Sequence, residues 1–168
     1  VAAFGNLLQR LSDNVDKVCR VFLLIVMAVM VTTVLGQVFF RYVLNAALSW
    51  PEELTIFLMA WMTFVGSGIA LKGWEHIGIT IFAGMLPENL QAALAVLVKI
   101  AVLFFAVFLT YTGVVLVQKS THIISEALRI SVVWPRLSVP VGGIIMTLHT
   151  VNLLYQNVYS LIRKGANN

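Results

Sequence analysis

Between Arg20 and Arg41 the chain carries twenty consecutive residues, 21–40, without a charge. At ~1.5 Å of rise per residue that is about 30 Å of helix, the thickness of a bilayer's hydrocarbon core. Similar uncharged runs recur at residues 54–71, 100–118 and 137–162. A chain of 168 residues with four such runs has little length left for anything else. The expected architecture is therefore all-α, an integral membrane four-helix bundle in one membrane domain over residues 1–168. Its parts are an amphipathic leader over 1–20 and spans at about 21–40, 54–71, 90–118 and 137–162.

Charged residues make up only 11% of the chain and hydrophobic ones 60%. A soluble domain sits near ~25% charged, so a water-soluble fold is excluded, and with it a separate catalytic module; no enzyme is expected. Residues 21–40 exceed the ~7–15 residues of a signal-peptide core and end in Val38-Phe39-Phe40-Arg41, a poor cleavage site, so a retained span is expected. The net charge of +4 does not point to nucleic acid, because the basic residues flank the apolar runs, where topology signals belong. Arg10, Lys17, Arg20, Lys72, Arg163 and Lys164 fall on one side of the membrane and Arg41, Lys119, Arg129 and Arg136 on the other. By the excess of positive charge inside, both termini are expected in the cytoplasm. Trp50, Trp74 and Trp134 then lie at the interfaces. Cys19 is the sole cysteine, so no intrachain disulfide and no thiolate metal site can form.

In the leader, Phe4, Leu7, Leu8, Leu11, Val15 and Val18 share one helical face, with Arg10, Asp13, Asp16 and Lys17 largely on the other. That spacing predicts an amphipathic helix lying in the membrane interface. Ser49-Trp50-Pro51-Glu52-Glu53 predicts a helix start, with Ser49 and Glu52 as a capping box and Pro51 in the first turn. Ile77, Ile79 and Ile81 alternate as in an extended piece, though an interfacial helix also fits. Lys99 either snorkels from the first third of a third helix that begins near Glu88 or caps the interface if lipid begins at Ile100; one long, tilted helix with a partly interfacial first third is expected. Residues 119–136 form the most polar link, and Trp134-Pro135 and Pro140 mark the entrance to the fourth span. Val141-Gly142-Gly143 is a small-residue patch suited to close helix approach.

Two polar groupings could carry chemistry. Thr33, Gln37 and Arg41 form a stripe near the end of the first span, and Glu52 and Glu53 open the next helix on the same side. This is either an ion or substrate site or a structural ion pair, with Glu53 the expected partner of Arg41 because Glu52 is engaged in capping. His149, Asn152 and Gln156, at i, i+3 and i+7 of the fourth span, suit either a transport pathway or hydrogen bonds between helices. The apolar runs hold no Asp or Glu, which argues against transport by this chain alone. Haem ligation needs two histidines at one depth. His76, His122 and His149 fall at different levels, so no haem, other cofactor or metal is expected. A self-sufficient small transporter and a haem-binding membrane anchor are the alternatives.

The strings Gln37-Val38-Phe39-Phe40-Arg41-Tyr42-Val43-Leu44-Asn45, Ser49-Trp50-Pro51-Glu52-Glu53-Leu54 and Trp61-Met62-Thr63-Phe64-Val65-Gly66, followed by Lys72 through His76-Ile77, stand in a specific order. Together they resemble the small, DctQ-like membrane subunit of tripartite ATP-independent periplasmic (TRAP) transporters, over roughly residues 20–160. The resemblance implies a bacterial inner-membrane scaffold. In such systems a soluble periplasmic binding protein captures an organic acid and a large membrane subunit moves it inward, driven by sodium. The small subunit braces the large one and helps dock the binding protein. The recurring Arg, Trp, Glu and His of that family fall on Arg41, Trp50, Glu53, Trp61 and His76. Cargoes of the C4-dicarboxylate or sialic-acid type are equally compatible.

Overall fold

A computed structural model describes residues 2–73 and 88–165, and the described residues are almost entirely helical. Helix α1 spans Ala2–Tyr42, α2 Trp50–Gly73, α3 Glu88–Gln118, the single turn α4 Val133–Arg136, and α5 Ser138–Gly165. Four of them are long and apolar enough to cross a membrane. The all-α, four-helix membrane bundle expected from the uncharged runs is the fold observed. The segment carrying Trp74, His76 and the Ile77/Ile79/Ile81 alternation lies outside the described residues.

Helix α1 departs from the expected interfacial leader. It runs without a break for 41 residues, about 60 Å, roughly twice the hydrocarbon thickness. Its first half therefore continues the span past the core instead of bending to lie flat. Its buried side is also not the expected one. Leu7, Leu11 and Val18 are exposed, as are Arg10 and Lys17, whereas Ser12 and Asp16 are buried against the bundle. A neighbouring helix supplies a cation for Asp16, so Ser12 and Asp16 turn inward together with Val15.

Helix α5 is the hub. It packs along α2 and α3 and meets the start of α1, while α1 otherwise lies on α2. More than half of its span is buried, against about a tenth for each of the other three. The small-residue patch makes this possible. A Cβ on Gly142 would come 2.7 Å from the Phe64 carbonyl oxygen of α2, and one on Gly143 would come 2.9 Å from the Thr110 backbone nitrogen of α3. Gly113 gives the same clearance to the ring of Pro140. In lipid, helices gain little from hydrophobic transfer, so such van der Waals contact at backbone distance is a main source of association. Around it sits a core of Cys19, Val65 and Ile145, flanked by Val15, Leu23, Trp61, Ile69 and Val141. Phe22 meets Trp61 edge to face, with centroids 5.5 Å apart.

The turns follow local chemistry. After α1, Asn45 adopts a left-handed conformation (φ 51°), which a short amide side chain tolerates. Helix α2 begins where the sequence places it, directly after Ser49, with Pro51, Glu52 and Glu53 in its first turn. Lys99 is buried in α3. The polar link after α3 folds back on itself. Ser125 N–H donates to the Ile130 carbonyl (2.9 Å), and Val132 N–H to that of Ile123 (3.0 Å).

The glycine contacts yield a direct test. Gly142→Leu or Gly143→Leu must push α5 off a neighbouring backbone, with an expected loss of about 1–3 kcal/mol or more. Gly36 provides the contrast, because a Cβ there would meet nothing within 4 Å. Gly36→Ala should be neutral or stabilising by up to about 1 kcal/mol. Thermal unfolding in detergent, followed by size-exclusion recovery, reads both; equal behaviour of the three variants would refute close packing at α5.

Candidate functional site

Two polar centres occupy opposite ends of the bundle. The first lies where the start of α1, the end of α2 and the middle of α5 converge. Ser12, Asp13, Asp16 and Arg20 recur within two turns of α1, so one side of that helix collects them. Lys72, in the last turn of α2, reaches across to them. Its Nζ lies 2.6 Å from Asp13 Oδ1 and 3.6 Å from Asp16 Oδ2, and it donates to the Ser12 carbonyl at 3.5 Å. Arg20 Nε donates to Asp16 Oδ2 at 3.0 Å. Two carboxylates thus face two cations, and the cluster is close to neutral.

His149 enters this centre from α5. Its ring is fully buried, and Ser12 Oγ lies 2.7 Å from Nδ1. Nε2 of His149 and Oδ1 of Asp16 have no hydrogen-bond partner among the described residues. Asn152 is buried one turn further along α5 and accepts from Gln156 Nε2 at 3.5 Å. Of the stripe in the fourth span, His149 therefore bonds across to α1, while Asn152 and Gln156 bond one another within α5. Among the described residues, no group of three His, Cys, Asp or Glu side chains is placed to hold a metal ion. The arrangement fastens α1 to α2 and α5, with Ser12 and His149 both fully buried where the helices meet.

The second centre corrects an expectation. Glu53 does not pair with Arg41. Its Oε2 accepts from the backbone N–H groups of Ala127 (2.9 Å) and Leu128 (2.8 Å), in the link between α3 and α4. Two converging amides at a turn are a ready carboxylate site, and they claim Glu53 while Arg41 lies exposed at the end of α1. The same link is held from its other side by Arg136, whose guanidinium donates to Ser120 Oγ. Arg129 at its tip has a positive φ of 54°. Glu53 therefore ties α2 to the link, not α1 to α2.

The remaining candidates disperse. Trp61 is a packing residue between α1 and α2. Gln37 is half-buried in α1, Glu52 is exposed, and Trp50 and Trp134 are exposed at helix starts. His76 lies outside the described residues. Sequence reasoning missed Ser12, Asp13, Asp16 and Lys72 as one centre. The signal was present in the acidic face of α1, but that face reads equally well as solvated until α2 is placed beside it.

Comparison with known proteins agrees with this architecture. Residues 30–159 match the family model of tripartite ATP-independent periplasmic transporters, DctQ component. The chain is 30% identical over 150 residues to the sialic acid TRAP transporter small permease protein SiaQ of Vibrio cholerae, covering 89% of this chain and 85% of that protein. It is 27% identical to the C4-dicarboxylate TRAP transporter small permease protein DctQ of Vibrio cholerae, over 60% of this chain and 44% of that protein. It is also 26% identical to the sialic acid TRAP transporter permease protein SiaT of Haemophilus influenzae, over 67% of this chain but only 18% of the relative.

The two centres make different demands on mutation. Lys72→Met leaves Asp16 without its cross-helix cation. Losing one partner costs ~3–5 kcal/mol when a pair is buried and ~0–1 when it is exposed, and the partial exposure of Lys72 places it between. Arg20, which is 60% exposed, should matter less. Melting of the two single variants in detergent should rank them in that order. At the other end, Glu53→Ala should accelerate hydrogen exchange at the amides of Ala127 and Leu128. Arg41→Ala should leave those amides unchanged, and equal exchange in both variants would count against the Glu53 clasp.

Proposed function

The chain belongs to the DctQ component family of tripartite ATP-independent periplasmic transporters, and on that premise we propose that it braces a large, sodium-driven permease subunit and helps dock a soluble binding protein. As a member of that family it is a transport component and a multi-pass inner-membrane protein. The observation that carries the bracing role is the construction of the bundle. Its polar groups are spent on ties between its own helices, Lys72 to Asp13 and Asp16, Ser12 to His149, Glu53 to the link. A bundle fastened in this way suits a rigid support. The matched region, residues 30–159, runs from the last third of α1 into α5 and so takes in most of the bundle.

The large partner is a membrane permease. In the Haemophilus influenzae permease, the stretch resembling this chain accounts for 18% of the protein, so a segment of this kind is there built into a much longer permease. The cargo is an organic acid of the sialic-acid or C4-dicarboxylate type, as the names of the two Vibrio cholerae proteins suggest. Both termini face the cytoplasm. This follows from the basic residues, and Lys72 sits beside the start of α1, at the end assigned to the inside.

Reconstitution tests the assignment. Liposomes holding this subunit alone should show no sodium-dependent organic-acid uptake. Liposomes holding it with the large subunit should take up cargo once binding protein and a sodium gradient are supplied. Flux from the small subunit alone would favour a self-sufficient transporter. For orientation, a reporter fused to either terminus should be active only in the form that folds in the cytoplasm, and activity of a periplasm-dependent reporter would reverse the topology.

A further inference from the structure

Of the two histidines among the described residues, His122 is exposed and His149 is completely buried. Histidine ordinarily changes charge between about pH 5 and 8, so a buried one at a helix seam ties a proton to a packing contact. Here the contact is the 2.7 Å hydrogen bond between Ser12 of α1 and His149 of α5. The charges acting on the ring are Asp13 and Asp16 from α1 and Lys72 from α2; α3 contributes none. Arg20 of α1 holds Asp16. Two carboxylates are thus matched by two cations before the imidazole takes any charge.

We propose that this seam is a proton-sensitive latch: neutral His149 holds the start of α1 against α5, and its protonation releases that segment. The proton comes from water and returns to water when the pH rises. Once the ring is charged, both of its nitrogens are donors. Nδ1 keeps Ser12 Oγ as its acceptor, but Nε2 has no hydrogen-bond partner among the described residues. Asp16 is also buried and has one free oxygen, Oδ1, while Oδ2 faces Arg20 and Lys72. If Asp16 turns toward the imidazolium, its cross-helix contact with Lys72 is lost. If it stays, a third cation lies buried opposite two carboxylates, which is costly. Opening relieves both strains, because water then reaches the ring. The open seam therefore binds the proton more readily than the closed one, and the closed form weakens as pH falls through the range of histidine. For a single proton the closed-to-open ratio drops at most about tenfold per pH unit. The latch is a property of this chain and is read without any partner.

Cys19 provides the probe. It is the sole cysteine, buried in the core with Val65 and Ile145 and flanked by Val15. It stands about two turns along α1 from Ser12, so a seam that opens at Ser12 bares it to a thiol reagent. The labelling rate of the full chain in detergent, divided at each pH by the rate of the chain denatured in SDS, follows the open fraction and cancels the reactivity of the thiol itself. Between pH 7.5 and 5.5 this ratio should rise about tenfold in the parent chain and by less than about twofold in His149→Gln. Lys72→Met, which leaves Asp16 free to meet the imidazolium, should raise the ratio at pH 7.5 and flatten its rise on acidification. That variant also decides the matter should His149→Gln not fold. A flat ratio in the parent overturns the latch, as does an acid-induced rise that the variants share in full.

Discussion

Helices in a bilayer are surrounded by a solvent as apolar as their own surfaces, so leucine against leucine offers little reason for two spans to stay together. What remains is contact at backbone distance, and this bundle concentrates it on α5. Gly142 admits the backbone of α2 on one side of that helix, and Gly143 admits α3 on the other. The core of Cys19, Val65 and Ile145 then forms at the level where α1 joins them. Position α5 differently and the contact between α5 and α1 is lost, because His149 reaches Ser12 only from a helix already seated between its neighbours.

The polar groups play a second, more selective part. Near the chain ends, carboxylates from α1 meet the ammonium of α2, and the histidine of α5 meets a serine one turn away. At the other end, the Glu53 carboxylate caps two backbone amides of the link after α3. Each interaction joins elements distant in sequence, and each lies toward an end of the bundle, where the charges need not sit in the middle of the hydrocarbon. The upper part of α1 is left with apolar side chains exposed on most sides. That distribution is what a support needs: internally fastened at both ends, with apolar surface available between them.

Much of this was legible from residue order. Four uncharged runs of membrane length can only be helices, since no other local structure satisfies its own backbone in lipid. The start of α2 at Trp50, the close-packing role of Val141-Gly142-Gly143, and the family to which the chain belongs were all visible in short motifs. The candidate sites were less legible. Arg41 and Glu53 suit one another by charge and by their places on either side of a short turn. Turn amides outcompete the guanidinium for Glu53 because the fold delivers Ala127 and Leu128, more than seventy residues later, to that carboxylate.

The sequence alone determined the number of spans, small residues through which they touch and the transporter family. These properties depend on composition and local spacing, which the bilayer reads segment by segment. Only the tertiary structure decided which face of each helix turns inward. The acidic side of α1 could have faced water; it faces the bundle because Lys72 of α2 stands opposite Asp13 and Asp16. A polar side chain acquires its role from the group placed against it, and that placement is a property of packing among helices, which no single helix encodes.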